Sequence, residues 1–171
     1  LTVSGEVTGK KCGGIVGVNT GKISDVISEV NVIGDGQAGG ICITNSGVIS
    51  GCINRGMITN TYNESESAAG GITAANIGII TGCRNYGNIN TADSLNSSNI
   101  GGVVGVNGSA SSEAVLENSE NNGSIFGRGM LGGVVGSSVN KVTNCVNIGI
   151  VSGSEQYVGG VIAVSYTHLR A

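Results

Sequence analysis

A Gly-Gly pair followed by Ile or Val returns six times in this chain: GGIVGVN at Gly13, GGICITN at Gly39, GGITAAN at Gly70, GGVVGVN at Gly101, GGVVGSS at Gly132 and GGVIAV at Gly159. Successive starts lie 26, 31, 31, 31 and 27 residues apart. Self-similarity at such a period marks a stack of small units, none of which buries its own apolar face alone. The repeat therefore fixes the kind of object before any single residue is considered.

Counting each first Gly as position zero, position two reads Ile15, Ile41, Ile72, Val103, Val134, Val161. Position ten reads Ile23, Ile49, Ile80, Leu116 and Val142, with an insertion ahead of Leu116. Position thirteen reads Val26, Cys52, Cys83, Ser119, Cys145, and position nineteen Val32, Ile58, Ile89, Ile125, Val151. The residue before each pair is Cys12, Ala38, Ala69, Ile100, Leu131 or Val158. The β-branched bias of these columns favours strands, and no helical spacing is sustained. The spacing predicts three strands per unit, near Ile72–Ala75, Ile79–Arg84 and Asn88–Asn90 in the third. The expected fold is an all-β parallel β-helix, right-handed, with about five full rungs and partial rungs at both ends.

The Gly pair is expected at a corner, where positive φ costs Gly little. The same reading applies to position seventeen (Gly56, Gly87, Gly123, Gly149, with Val30 the exception) and position eight (Gly21, Gly47, Gly78, then Ala114 and Asn140). Two asparagine columns flank these turns: Asn19, Asn45, Asn76, Asn107, ending in Ser138, and Asn54, Asn85, Asn121, Asn147. A side-chain amide both donates and accepts, so stacked amides satisfy one another along the axis. The polar insertions TNTYNESESA, TADSLNSSN and GSASSEA read as surface loops.

Composition removes several classes. Gly is 32 of 171 residues with no Pro, which excludes a collagen-like rod. Hydrophobic residues make up 39%, so disorder is not expected. Charged residues are 11% and the net charge is −3, which argues against nucleic acid as a partner. No apolar run has the length of a membrane span.

Residues 1–164 read as one repeat region. The chain starts in mid-repeat, Gly5 and Val7 matching Gly56 and Ile58, so open rungs that associate end to end or fray are expected at both ends. The last eight residues, VSYTHLRA from Val164, resemble the translation of a transposase adapter used in DNA library preparation, GTC TCT TAT ACA CAT CTC CGA GCC. Ser165–Ala171 is therefore read as a non-native tail, and His168, the sole His, enters no catalytic argument.

Of five Cys, Cys52, Cys83 and Cys145 share an inward column, while Cys42 and Cys12 stand apart. No CxxC occurs, and buried reduced thiols are expected, since stacked side chains point the same way rather than at each other. Asp25, Asp35, Glu64, Glu66, Asp93, Glu113, Glu117, Glu120 and Glu155 share no column, so no paired-carboxylate site recurs. The calcium-binding GGxGxDxUx repeat is not matched, and the Gly pairs open no helix as a dinucleotide site requires. Neither catalytic residues, nor a metal, nor a cofactor is expected. Tyr62, Tyr86 and Tyr157 are the native tyrosines; exposed aromatics stack on sugar rings, with simple packing as the alternative.

The units GGIVGVNTGKISDVISEVNVIG, GGICITNSGVISGCINRGMI, GGITAANIGIITGCRNYGNI and GGVVGSSVNKVTNCVNIGIV resemble the bacterial GLUG-motif repeats, and the fourth unit fits with an insertion. That family occurs in large secreted or surface-attached bacterial proteins, including adhesin-like proteins and an immunoglobulin-cleaving metalloprotease. The resemblance implies an extracellular or cell-surface, non-catalytic stalk or binding segment, with a host glycan or protein as ligand. Two alternatives stay open: a β-helical fragment of a glycan-active enzyme, or the repeat region of a large secreted metalloprotease.

Overall fold

The computed structural model describes residues 1–61, 67–91, 98–154 and 157–166. It is an all-β parallel solenoid of about six turns, with no helix among the described residues. Three sheets run along its axis. One stacks Val16–Asn19, Cys42–Asn45, Thr73–Asn76, Val104–Asn107, Val135–Ser138 and Ile162–Ser165. A second stacks Lys22–Ser24, Val48–Ser50, Ile79–Thr81, Val115–Glu117 and Lys141–Thr143. The remaining strands form a long third sheet, which begins with Thr2–Gly13 and Ile27–Gly39.

The register reproduces the columns read from the sequence. Ile23, Ile49, Ile80, Leu116 and Val142 pair in turn, as do Val32, Ile58, Ile89, Ile125 and Val151. In the position-two column each amide N–H donates to the carbonyl of the next rung, from Ile15 to Ile41 (3.0 Å) through to Val134 and Val161 (2.8 Å). Ile41, Ile72, Val103 and Val134 are fully buried. One buried Val or Ile contributes roughly 1.5–3 kcal/mol, so the stack holds itself together through its columns.

Three expectations are corrected. Each rung carries more than three strands: the predicted Ile79–Arg84 strand splits into Ile79–Thr81 and Arg84–Asn85, and Ala68–Gly70 or its equivalent precedes each Gly pair. The split falls at a left-handed corner. Asp25 (φ 55°), Gly51 (61°), Gly82 (63°), Asn118 (51°) and Asn144 (51°) occupy position twelve, a column drawn only from residues that tolerate this conformation. The Gly pairs, by contrast, have no positive φ, and neither do Gly21, Gly47 and Gly78 at position eight or Gly56, Gly87, Gly123 and Gly149 at position seventeen; Gly5, in register with Val30, is the exception with φ 132°. What requires these glycines is close approach. A Cβ on Gly39 would run into the Cys42 carbonyl, and one on Gly71 would meet the Gly102 carbonyl and the Asn85 side chain.

The rung encloses two separate apolar cores. Along one wall of the third unit the inward residues are Cys83, Asn85, Gly87 and Ile89; along the other, Ala69, Gly70, Gly71 and Ile72. Cys83 and Ile72 belong to the main core with Ile49, Ile80 and Val104. Ile89 and Ala69 belong to a second core with Ile58, Ile100, Ile125 and Leu131. Between the two, Asn85 meets Gly71 across a narrow waist, and Asn54–Gly40, Asn121–Gly102 and Asn147–Gly133 repeat the contact. The second core thus fills an arm, whose chain reverses at its tip. In the first rung this happens at Gly34–Gln37, where a Cβ on Gly34 would lie 2.9 Å from the Ala38 Cβ.

Candidate functional site

The two asparagine columns are continuous hydrogen-bonded ladders. Nδ2 of Asn19 donates to Oδ1 of Asn45, Asn45 to Asn76 and Asn76 to Asn107, each at 2.8 Å, and Asn107 donates to the Ser138 hydroxyl at 3.2 Å. At the waist Asn54 donates to Asn85, Asn85 to Asn121 and Asn121 to Asn147, again at 2.8 Å. Every ladder amide but Asn107 also reaches the carbonyl two residues on, as Asn76 does that of Gly78 (3.2 Å) and Asn85 that of Gly87 (2.8 Å), while Asn107 reaches the Lys141 carbonyl (3.3 Å). In the position-seventeen column a Cβ would first run into the carbonyl of the rung below: that of Val30 for Gly56, of Gly56 for Gly87 and of Gly87 for Gly123. Val30, the exception, is in register with Gly5, whose φ is 132°.

The position-thirteen column follows a local rule of its own. Cys52, Cys83 and Cys145 each donate Sγ–H to the carbonyl two residues back, at 3.4, 3.5 and 3.3 Å, and the Ser119 hydroxyl does the same to Glu117 at 2.9 Å. In four of the five units a small side chain with a donor fills this position, so Ser can stand in for Cys there, while the first unit has the buried Val26 instead. All five cysteines are free, and only Cys145 is less than fully buried. Burial pushes the Cys42 thiol up to about 11 against the lowering effect of its bond to Thr73. Cys83 is raised by its pairing with Cys52 and by burial, the same pairing lowers Cys52 to about 7, and Cys145 is raised by burial. With their pKa values raised, Cys42, Cys83 and Cys145 are poor nucleophiles and poor ligands. Among the described residues no group of three His, Cys, Asp or Glu is placed to hold a metal.

The outward face of the long sheet carries two exposed ion pairs. Arg55 Nη1 pairs with Glu29 Oε1 and Arg84 Nε with Glu120 Oε2, both at 3.5 Å. These four residues sit on four consecutive rungs. The sequence columns do not reveal this row, because it crosses from position sixteen to position fourteen between Arg55 and Arg84. Glu29 and Glu120 are three rungs apart, about 14 Å at ~4.8 Å per rung. A glycosidase carboxylate pair needs roughly 5–9.5 Å, so these two do not work together on one bond. Met57, Tyr86 and Phe126 are also exposed on this sheet, while Tyr62 lies outside the described residues.

Two of the three connections that carry insertions enter at one edge. Gly34 pairs with Asn60 and Gln37 with Ala68, so the five extra residues of the second unit enter at the tip of the arm. The third unit's insertion enters there too, between Thr91 and Asn99. Residues 62–66 and 92–97, with Glu64, Glu66 and Asp93, lie outside the described set, as do Glu155 and His168. The fourth unit's insertion enters elsewhere, between Asn107 and Val115, where Asn140 clamps it by donating to the Ser112 carbonyl at 2.8 Å. No family model, curated protein or solved structure matches the chain.

Proposed function

We propose that this chain is a run of GLUG-type repeats serving as a non-catalytic stalk or binding segment of a bacterial cell-surface or secreted adhesin-like protein. The observation that carries this reading is the sameness of the rungs: each repeat restates the same columns, ladder bonds and waist. Adding a unit therefore adds length without a new fold, which is what a spacer needs. Two of the three polar insertions join described strands at the arm edge, a position from which a rod can offer a loop to a ligand of glycan or protein nature. The charged row on the long sheet pairs off internally, and its carboxylates are too far apart for joint acid–base work.

Antibodies raised against the folded chain test this on intact bacteria that carry the gene. Labelling of unpermeabilised cells, or recovery of the antigen from the medium, is the expected outcome. Antigen found only after lysis would sink the proposal.

A further inference from the structure

We propose that the outward face of the long sheet binds a neutral oligosaccharide between Tyr86 and Phe126. The inference gives the ligand a class and a place, and it rests on the binding-segment reading of the function. In the third unit the wall alternates inside and out: Cys83, Asn85, Gly87 and Ile89 are buried, while Arg84, Tyr86 and Asn88 are exposed. The next rung repeats the alternation, with Phe126 paired to Asn90. Tyr86 is 49% and Phe126 42% exposed, although each has a rung on either side of it. Their exposure therefore comes from pointing outward and not from any gap in the stack. Tyr86 and Phe126 are four residues and one rung apart, which at ~3.3 Å per residue and ~4.8 Å per rung is at most about 14 Å. One sugar ring cannot touch both aromatics, whereas several linked rings laid across the strands can.

Between the two aromatics the face is polar. Tyr86 is in register with Asn122, and Asn88 with Ser124. Asn88 Oδ1 accepts from the Ser124 N–H at 3.0 Å, and Asn90 Nδ2 donates to Met57 Sδ at 3.5 Å. Asn88 Nδ2, Asn90 Oδ1 and Ser124 Oγ keep no partner among the described residues. Asn122 Nδ2 is buried and unpartnered, so its amide gains a bond by turning toward a ligand. This mixture sorts the occupants. A membrane or an apolar protein patch would strip water from the amides and return no bond. Nucleic acid and acidic polysaccharide call for net positive charge, and here Arg55 is matched by Glu29 and Arg84 by Glu120. A neutral sugar meets both demands: its C–H face packs on an aromatic ring, and its hydroxyls donate and accept.

The full chain on a printed array of neutral, sialylated and sulfated oligosaccharides is the first test. Retention by neutral glycans is expected, and calorimetry with the strongest of them then gives the affinity. That affinity should fall by about tenfold in Tyr86→Ala and again in Phe126→Ala, the scale of one aromatic contact with its buried area. Tyr86→Phe should keep it, and Ile148→Ala, on the same face outside the site, should leave it unchanged. The substituted side chains are exposed, and an unchanged urea midpoint shows that each variant folds; Tyr86→Gln or Phe126→Gln replaces an alanine variant that does not. An array that retains the chain on no neutral glycan, or only on sialylated or sulfated ones, overturns the proposal. So does an affinity indifferent to Tyr86→Ala and Phe126→Ala, or lowered equally by Ile148→Ala. Antibody labelling of intact cells is a separate measurement: labelled cells with a silent array keep the stalk reading and remove this site.

Discussion

The corner ladder closes on Ser138 and the waist ladder opens above Ser28, and the two serines fare differently. Ser138 accepts from Asn107 at 3.2 Å and donates onward to the Asn140 carbonyl at 2.9 Å. Ser28 lies in register beneath Asn54, whose buried Oδ1 has no hydrogen-bond partner among the described residues. The cause is polarity. Each amide donates Nδ2 to the rung above, so the top of a ladder needs only an acceptor, which a hydroxyl supplies. The bottom needs a donor that reaches across a full rung, and a serine side chain is too short. The local turn adds a second donor to Oδ1 at the corner, from the N–H of Gly21, Gly47 or Gly78 at 3.1–3.2 Å, and at the waist Asn85 accepts the same bond from Gly87 at 3.2 Å. Asn54, at the bottom of the waist ladder, has neither bond in the structure.

The largest effect is expected from breaking the waist ladder at its middle. Asn85→Leu strands the Asn121 Oδ1 and the Gly87 N–H and carbonyl inside the protein, and removes the acceptor for Asn54 Nδ2. Leaving a buried polar group unsatisfied costs about 1–3 kcal/mol, so the total should reach about 3–5 kcal/mol. Urea unfolding measures it through the midpoint at unchanged slope. A loss below about 1 kcal/mol would mean that water enters the waist and that the ladder is not structural.

Much of this architecture was legible in the residues, for a physical reason. A parallel stack places equivalent positions on top of one another, so Ile41 over Ile72, or Asn45 over Asn76, can be read from the repeat alone. What failed to show was geometry within a rung. A glycine column reads the same whether Gly is needed for positive φ or for close approach, and only the latter holds at Gly39 and Gly71. The true left-handed column, Asp25–Gly51–Gly82–Asn118–Asn144, was present in the sequence as Asp, Gly and Asn in one place. It went unread because its identity varies while its conformation does not. The Glu29–Arg55 and Arg84–Glu120 pairs were hidden because each fills only two neighbouring rungs of its column, position sixteen and position fourteen, whose other members are uncharged.

A smaller effect separates the waist glycines from those at the N-terminal corner. Gly71→Ala would drive a methyl group into the Asn85 side chain and the Gly102 carbonyl. The cost should be about 2–3 kcal/mol, near the upper end of ordinary overpacking, because backbone on one side cannot yield. Gly21→Ala places its methyl where no atom lies within 4 Å, and its φ is not positive. That change should stay within about 0.5 kcal/mol, as for surface substitutions generally. The ratio of the two, from thermal or urea unfolding, tests whether Gly is kept for space. Equal costs would return the argument to backbone conformation.

The smallest effect should carry the opposite sign. Ser28→Asn extends the waist ladder by one rung and aims an Nδ2 donor at the unpartnered Asn54 Oδ1. The rung above offers the room this amide needs, because Gly56 stands there as Gly87 stands above Asn54. The rung below makes no demand, since Val3 occupies the next position. Satisfying one buried acceptor at the cost of ordering one side chain should stabilise the chain by about 1 kcal/mol. Ser138→Asn, at the top of the other ladder, gives no such gain, because Asn107 already has its acceptor. Stabilisation at residue 28 without stabilisation at 138 would establish that ladder direction decides where a shorter side chain can end the stack; equal responses at the two positions would show that it does not.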